Sequence, residues 1–195
     1  MDKIRIRAGL MTYVIKDQGY LSHCRIYPAG ISGHLEYHSR LADFAQHLPS
    51  ITLLRDPRDV IVSAYHYMDR IEDWHEFAAV AGCPGEFYTH HHGEERMDLL
   101  IENYWKYFNA YIPWLKTNII PVRYEDLIER PILALIPVAE ATGYDLEMLV
   151  ERSGYRGGYT FRKGVAGEWK HEFNDKQVRR FNELYGHVME AWGYE

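Results

Sequence analysis

The chain has 195 residues, of which 47% are hydrophobic and 26% are charged, and its formal net charge is −6. This composition is typical of a folded domain and excludes a disordered or fibrous chain. The acidic balance excludes the basic surface of a nucleic-acid-binding protein, so we expect no nucleic acid among its partners. The length predicts a single domain over residues 1–195.

The cysteines and the apolar runs give expectations about the cellular location of the protein. Two cysteines, Cys24 and Cys83, cannot make a disulfide framework and suit a reducing compartment. The first residues are charged and lack the apolar stretch of a secretory signal. No run approaches the roughly 18 apolar residues of a membrane span. We therefore expect a cytoplasmic protein without a membrane span.

The first half of the chain predicts a strand that leads directly into a helix. Residues 4–15 fit either a helix or a strand. Residues 51–54 form a β-prone run that predicts a buried strand. Asp56 is a natural N-cap and Pro57 suits the first helical position, so we expect a helix over residues 57–67.

The second half of the chain predicts mainly helices. One is expected over residues 97–112, ended or kinked by the proline that follows it. A short or edge strand is expected over 118–122, because Pro121 cannot donate to a sheet. Asn174 and Gln177 have capping-box spacing and mark the start of the last helix. Strands alternating with helices predict an α/β fold with a mostly parallel sheet. Two more helices are predicted, over residues 131–141 and 146–151.

The predicted strand at 51–54 places Arg55 at its carboxyl end, where open α/β sheets bind ligands. Ser63 lies two helical turns beyond Asp56, on the same face of the predicted helix. A guanidinium and a hydroxyl that converge near a helix start can hold a phosphate group. The same residues fit equally well a capped helix in which Arg55 pairs with a nearby carboxylate.

Residues 54–63 read Leu-Arg-Asp-Pro-Arg-Asp-Val-Ile-Val-Ser. This run resembles the 3′-phosphate-binding motif of sulfotransferases that use 3′-phosphoadenosine 5′-phosphosulfate (PAPS). In that family an apolar strand is followed by Arg-Asp/Asn-Pro-Arg/Lys-Asp, three apolar residues and a serine. The resemblance implies a three-layer, P-loop-like α/β fold, with Arg55 and Ser63 holding the 3′-phosphate of PAPS.

A second run, residues 161–170, reads Phe-Arg-Lys-Gly-Val-Ala-Gly-Glu-Trp-Lys. On its own it fits a basic loop without a ligand. Two cations before a glycine can also wrap a phosphate, because glycine lets the backbone approach closely. The run resembles the C-terminal signature of the same family, which implies that Arg162, Lys163 and Gly164 bind the 3′-phosphate as well.

Two further residues are assigned by their place in the family pattern. Tyr124, within the run Arg-Tyr-Glu-Asp-Leu, occupies the position near the adenine, although a core tyrosine at a strand end fits equally well. His34 lies ahead of Arg55 at the spacing of the family's catalytic base, and a neutral imidazole can take a proton from an attacking hydroxyl or amine. An ordinary surface or core histidine is the alternative, and His38 is the nearest competitor.

One element of the family pattern is not found in the sequence. These enzymes begin with a strand and a loop similar to Pro-Lys/Arg-Ser/Ala-Gly-Thr-Thr-Trp, which holds the 5′-phosphosulfate. Residues 4–19 contain no Gly-Thr/Ser-Thr/Ser run. Three interpretations stay open: a chain whose first part is missing, an intact variant with a compensating loop, and a non-catalytic relative that binds a 3′-phosphoadenosine nucleotide.

The resemblance predicts a sulfotransferase that moves a sulfuryl group from PAPS to an acceptor hydroxyl or amine, with His34 as the general base and no metal. The alternative is a truncated or non-catalytic relative that binds the nucleotide without transfer. The acceptor stays open among small alcohols, carbohydrates, lipids and peptides. The sequence lacks the Gly-x-x-x-x-Gly-Lys-Ser/Thr run of a nucleotide kinase. The consecutive histidines at 90–92 do not converge easily on one ion, so they predict a solvated loop.

Overall fold

The computed structural model describes residues 24–27, 30–33, 42–43, 45–68, 91–153 and 163–195. β1 (Cys24–Tyr27) and β2 (Gly30–Gly33) form an antiparallel pair. β3 (Ile51–Leu54) and β4 (Ile120–Arg123) form a parallel pair. The parallel pair brings together two parts of the chain that are far apart in sequence, and each of its strands runs directly into a helix.

Helices make up most of the described chain. A 3-10 helix over Ile112–Lys116 follows the third of them. Together with the parallel strands they form the predicted α/β arrangement. The α-helices in chain order are α1 (Pro57–Met68), α2 (Gly93–Asn103), α3 (Trp105–Tyr111), α4 (Tyr124–Glu129), α5 (Pro131–Thr142), α6 (Leu146–Ser153), α7 (Trp169–Glu172) and α8 (Asp175–Trp192).

The main core lies where α1, α2, α3 and α8 meet. Phe108 is fully buried there, and its ring makes edge-to-face contacts with Tyr185 and Trp192 at centroid distances of 5.1 and 5.7 Å. Such pairs add to the stabilisation that burial alone provides. Leu54, the last residue of β3, belongs to the same core; it is the one buried residue of β3, so the predicted burial of the whole strand was wrong. The core therefore fixes the end of β3 relative to α1, which is where the candidate site begins.

A smaller cluster packs around Val122 in β4. It contains Leu135 and Val138 of α5, and all three side chains are buried. The cluster holds α5 against β4. It thereby fixes α4, which lies between these two elements in the chain.

The start of α8 has the capping box that the sequence predicts. The Asn174 side chain accepts a hydrogen bond from Gln177 N at 2.9 Å, and the Gln177 side chain accepts one from Asn174 N at 3.0 Å. These bonds satisfy two backbone N–H groups that a helix end otherwise leaves unpaired. At the other end, Gly193 adopts φ = 74°, a left-handed conformation that glycine accepts at no steric cost.

Two predicted boundaries were wrong, and two helices were not predicted. The helix expected over 97–112 is interrupted at Tyr104, where ψ is 2°, so that α2 and α3 are separate. The α-helix ends at Tyr111, next to the expected end, and Pro113 lies near the start of the 3-10 helix, where a proline's missing N–H costs no bond. The expected strand 118–122 begins at Ile120 and ends at Arg123. The helices that were not predicted are α4 and α7.

None of the described helices is long and apolar enough to cross a lipid bilayer.

The capping box provides a test of how α8 is stabilised. Asn174→Ala is expected to lower the free energy of unfolding by about 0.5–2 kcal/mol, because the N-cap acceptor is lost. Urea denaturation measures this change. Asn182→Ala makes the same chemical change at an exposed position inside α8 and should leave stability equal or slightly higher. Equal losses in the two variants would show that the cap contributes nothing.

Candidate anion-binding site

The turn between β3 and α1 is organised by the carboxylate of Asp56. Its Oδ1 accepts a hydrogen bond from Arg58 N at 2.9 Å, as an N-cap does. The Arg58 side chain donates to the same carboxylate through Nε at 2.9 Å and Nη2 at 2.8 Å. Asp56 N in turn donates to Glu125 Oε1 at 3.0 Å. These bonds tie the start of α1 to α4.

Asp59 connects α1 to the second sequence motif. Its side chain is fully buried. Oδ2 accepts a hydrogen bond from Gly167 N at 2.6 Å, and Oδ1 accepts one from Trp169 N at 2.9 Å. Burial raises the pKa of the Asp59 carboxyl, while the two amides and the nearby Arg55 guanidinium act in the opposite direction. The two motifs found in the sequence are thus joined directly.

Arg55 lies at the junction of the two motifs. Its Nη2 donates to Val165 O at 3.1 Å, and its guanidinium lies 4.7 Å from the centre of the Tyr124 ring. Its Nε is buried and has no hydrogen-bond partner in the described part of the chain. Nη2 is also 3.9 Å from Asp59 Oδ2. The local carboxylate anticipated as an alternative is therefore present, but it is too far away to accept a hydrogen bond.

The segment 163–168 wraps this junction through two glycines. Gly164 has φ = 66° and Gly167 has φ = 79°. Both are in the left-handed region, which residues with a β-carbon enter only at a cost. Lys163 Nζ lies 3.1 Å from Glu168 Oε1, and the Lys163 side chain is 59% exposed. The segment therefore brings its backbone against Arg55 at Val165 O, and it carries one exposed ammonium group.

The last residues of the chain support the same turn. The Arg58 guanidinium stacks over the Trp169 ring at 3.9 Å and donates from Nη2 to Glu195 O at 2.7 Å. The Tyr194 hydroxyl donates to Glu125 Oε2 at 2.6 Å. Burial and the Glu125 carboxylate raise the pKa of Tyr194 far above its usual range, so the hydroxyl keeps its proton and remains a donor.

The structure brings some of the predicted site residues together and leaves others apart. Arg55 contacts Tyr124 and the loop that contains Lys163 and Gly164. Ser63 is half-buried on α1 and makes no hydrogen bond to these four residues within the described part of the chain. The two remaining predictions, His34 and Arg162, lie outside the described residues.

The sequence analysis assigned no role to four residues that build this site. A signal was present for Asp59, because an acid inside a motif expected to bind an anion needs a partner of its own. Glu125 and Trp169 have partners that are distant in sequence, as does Arg58 apart from its bonds to Asp56, so no local pattern marks these contacts. The residues that were missed are Arg58, Asp59, Glu125 and Trp169. No group of side chains suited to hold a metal ion occurs among the described residues.

Comparisons of the chain with known proteins agree on one family. Residues 21–157 match the sulfotransferase domain. The chain is 27% identical over 187 residues to sulfotransferase 6B1 of Danio rerio, covering 81% of this chain and 58% of that protein. It is 24% identical over 200 residues to the 3-beta-hydroxysteroid sulfotransferase of Cavia porcellus, covering 86% of this chain and 64% of that protein. The chain thus spans about three-fifths of the length of these curated relatives.

Solved structures show the same fold. The mouse sulfotransferase SULT7A1 complexed with PAP aligns with a TM-score of 0.56 and 18% identity, over 75% of this chain and 60% of that chain. Retinol dehydratase in complex with androsterone and the inactive cofactor PAP aligns with a TM-score of 0.52 and 16% identity, over 77% of this chain and 49% of that chain. The α/β fold is that of the sulfotransferases. Because the domain match covers most of the sequence, the chain belongs to the sulfotransferase family.

Proposed function

We propose that the junction of the two motifs binds the 3′-phosphoadenosine part of PAPS and that the protein transfers a sulfuryl group from PAPS to an acceptor hydroxyl or amine. The observation that carries this proposal is the hydrogen bond from Arg55 Nη2 to Val165 O at 3.1 Å. It places the guanidinium of the first motif against the loop of the second. The solved relatives with this fold that contain PAP support PAPS as the sulfuryl donor.

The donors of Arg55 suit a phosphate group. A planar guanidinium can make two parallel hydrogen bonds to phosphate oxygens. Arg55 Nε is buried without a partner among the described residues, and a buried donor without an acceptor costs about 1–3 kcal/mol. A phosphate oxygen that accepts from Nε would remove this cost. The residues therefore fit the 3′-phosphate, with the Ser63 hydroxyl as a further contact.

Lys163 and Gly164 are proposed to complete the phosphate contacts, together with Arg162. Lys163 pairs with Glu168, whose side chain is only 10% exposed, but the Lys163 side chain is 59% exposed. An ammonium group has three donors, so Lys163 can also donate to a phosphate while it pairs with Glu168. Gly164 has no β-carbon, so its backbone N–H can approach the phosphate closely. Tyr124, which lies beside the Arg55 guanidinium, is proposed as the neighbour of the adenine.

The proposed reaction is a single displacement at sulfur. A bond forms between sulfur and the acceptor oxygen or nitrogen while the bond between sulfur and the bridging oxygen of PAPS breaks. The products are the sulfated acceptor and 3′,5′-ADP (PAP), and the acceptor's proton passes to His34. Contacts to the 3′-phosphate contribute by positioning the donor, since binding energy gained far from the reacting atoms orients them for attack.

A second candidate function is a protein that binds 3′-phosphoadenosine nucleotides without transferring sulfate. The observation in its favour is that residues 4–19 lack the Gly-Thr/Ser-Thr/Ser run expected to hold the 5′-phosphosulfate. Binding and transfer therefore have to be measured separately.

Binding is tested by calorimetric titration with 3′,5′-ADP. Arg55→Ala is expected to weaken binding by about 1.5–3 kcal/mol, the range for hydrogen bonds to charged groups, or roughly 10- to 150-fold in Kd. Arg152→Ala removes the same side chain from an exposed position at the end of α6 and should bind like the wild type. Equal affinity of Arg55→Ala and the wild type would contradict the role of Arg55. No binding by a folded wild type would contradict the site itself.

Transfer is tested with radiolabelled PAPS and a panel of alcohols, sugars and amines. His34→Ala is expected to lower the transfer rate by about 10²-fold or more, the contribution of general-base catalysis, and to leave the affinity for 3′,5′-ADP unchanged. His38→Ala is the matched control. A rate lost in His38→Ala and kept in His34→Ala would reassign the base. Binding of 3′,5′-ADP without transfer to any acceptor would favour the second candidate.

A further inference from the structure

We propose that Asp59 is a positioning residue, which assembles the anion site by holding the loop of the second motif against the start of α1. The proposal rests on the proposed function, because it concerns the same nucleotide site. Asp59 is not expected to touch the nucleotide. It acts through the backbone of Gly167 and Trp169, and through the guanidinium of Arg55.

Both oxygens of the buried carboxylate are used. Oδ2 accepts from Gly167 N at 2.6 Å across 108 residues of chain, and Oδ1 accepts from Trp169 N at 2.9 Å across 110 residues. Hydrogen bonds with an ionised acceptor are roughly twice as strong as neutral ones. Since the two donors lie on either side of Glu168, the bonds fix the course of the backbone on both sides of that residue.

The loop needs such an anchor because of its own sequence. It contains Gly164 and Gly167, both with positive φ, and glycine loses more conformational freedom on folding than any other residue. Within the described part of the chain, the other polar contacts between the motifs are the Arg55 bond to Val165 O and the stacking of Arg58 on Trp169. Neither of these fixes two backbone N–H groups of the loop, as the Asp59 carboxylate does.

The distance to Arg55 is consistent with a positioning role. Asp59 Oδ2 lies 3.9 Å from Arg55 Nη2, which is close enough for attraction and too far for a hydrogen bond. The carboxylate therefore orients the guanidinium without occupying one of its donors. An acid placed beside a phosphate site would otherwise repel the ligand. Here both carboxylate oxygens accept hydrogen bonds from backbone N–H groups, whose positive ends partly offset the negative charge.

Asp59→Asn tests the role with the smallest change of shape. The amide side chain keeps one acceptor oxygen and places an NH₂ group against a backbone N–H, so either Gly167 or Trp169 loses its acceptor. We expect Kd for 3′,5′-ADP to rise about tenfold or more, the scale of one charged hydrogen bond. Asp175→Asn removes the same charge from an exposed acid at the start of α8 and should bind within about twofold of the wild type.

Amide hydrogen exchange at Gly167 and Trp169 gives a second measurement. If Asp59 had a purely structural role, exchange at these amides would not respond to bound nucleotide. Saturating 3′,5′-ADP should slow exchange at both amides in the wild type, because their hydrogen bonds to Asp59 and the proposed nucleotide site form one unit. In Asp59→Asn both amides should exchange faster, while Phe181 in the core of α8 keeps its protection. The wild-type measurement decides the question if Asp59→Asn does not fold.

The outcomes are distinguishable. Binding of 3′,5′-ADP that survives Asp59→Asn within about twofold would overturn the role of Asp59 and leave the proposed function intact. Wild-type exchange at Gly167 and Trp169 that does not respond to bound nucleotide would do the same. A folded wild type that binds no 3′,5′-ADP would overturn the proposed function, and the positioning role would fall with it.

Discussion

The hydrogen bonds from Gly167 N and Trp169 N to the Asp59 carboxylate join two parts of the chain that lie 108 and 110 residues apart. A buried carboxylate is tolerated only when its oxygens are satisfied, so the start of α1 cannot keep this form without the loop. The loop in turn has two glycines and little packing of its own. Each motif therefore depends on the other for its conformation, and neither is a site by itself.

Further polar contacts extend this constraint to α4 and to the end of the chain. Glu125 accepts from Asp56 N at 3.0 Å and from the Tyr194 hydroxyl at 2.6 Å. Arg58 joins Asp56 to Glu195 O and covers the Trp169 ring. Buried polar networks are rigid when every member has a partner and costly when one is missing. The hydrophobic core fixes the positions of the helices and of β3. The polar network fixes the side chains at the start of α1 and in α4.

Local signals in the sequence predicted the parts of the fold that local interactions determine. The helix that begins at Pro57 and the capping box of Asn174 and Gln177 are confirmed, because caps act within three residues. The α/β fold is confirmed as well. The interruption at Tyr104 has no local signature. For Asp59 the motif signals that a partner is needed, but its partners could not be identified from the sequence, because they are backbone amides far along the chain. The roles of all the predicted site residues stay predictions, and His34 and Arg162 also lie outside the described residues.

The contacts made by the acids are compatible with the proposed phosphate site in a chain whose net charge is −6. Asp56 accepts from Arg58, Asp59 accepts from two amides, and Glu125 accepts from a backbone N–H and a hydroxyl. Each of these carboxylates therefore accepts hydrogen bonds from donors within the protein. Arg55 Nε has none of these acceptors. Asp59 and Glu125 accept from neutral donors, so they hold the backbone in place without occupying Arg55 Nε, the donor assigned to the proposed phosphate contact.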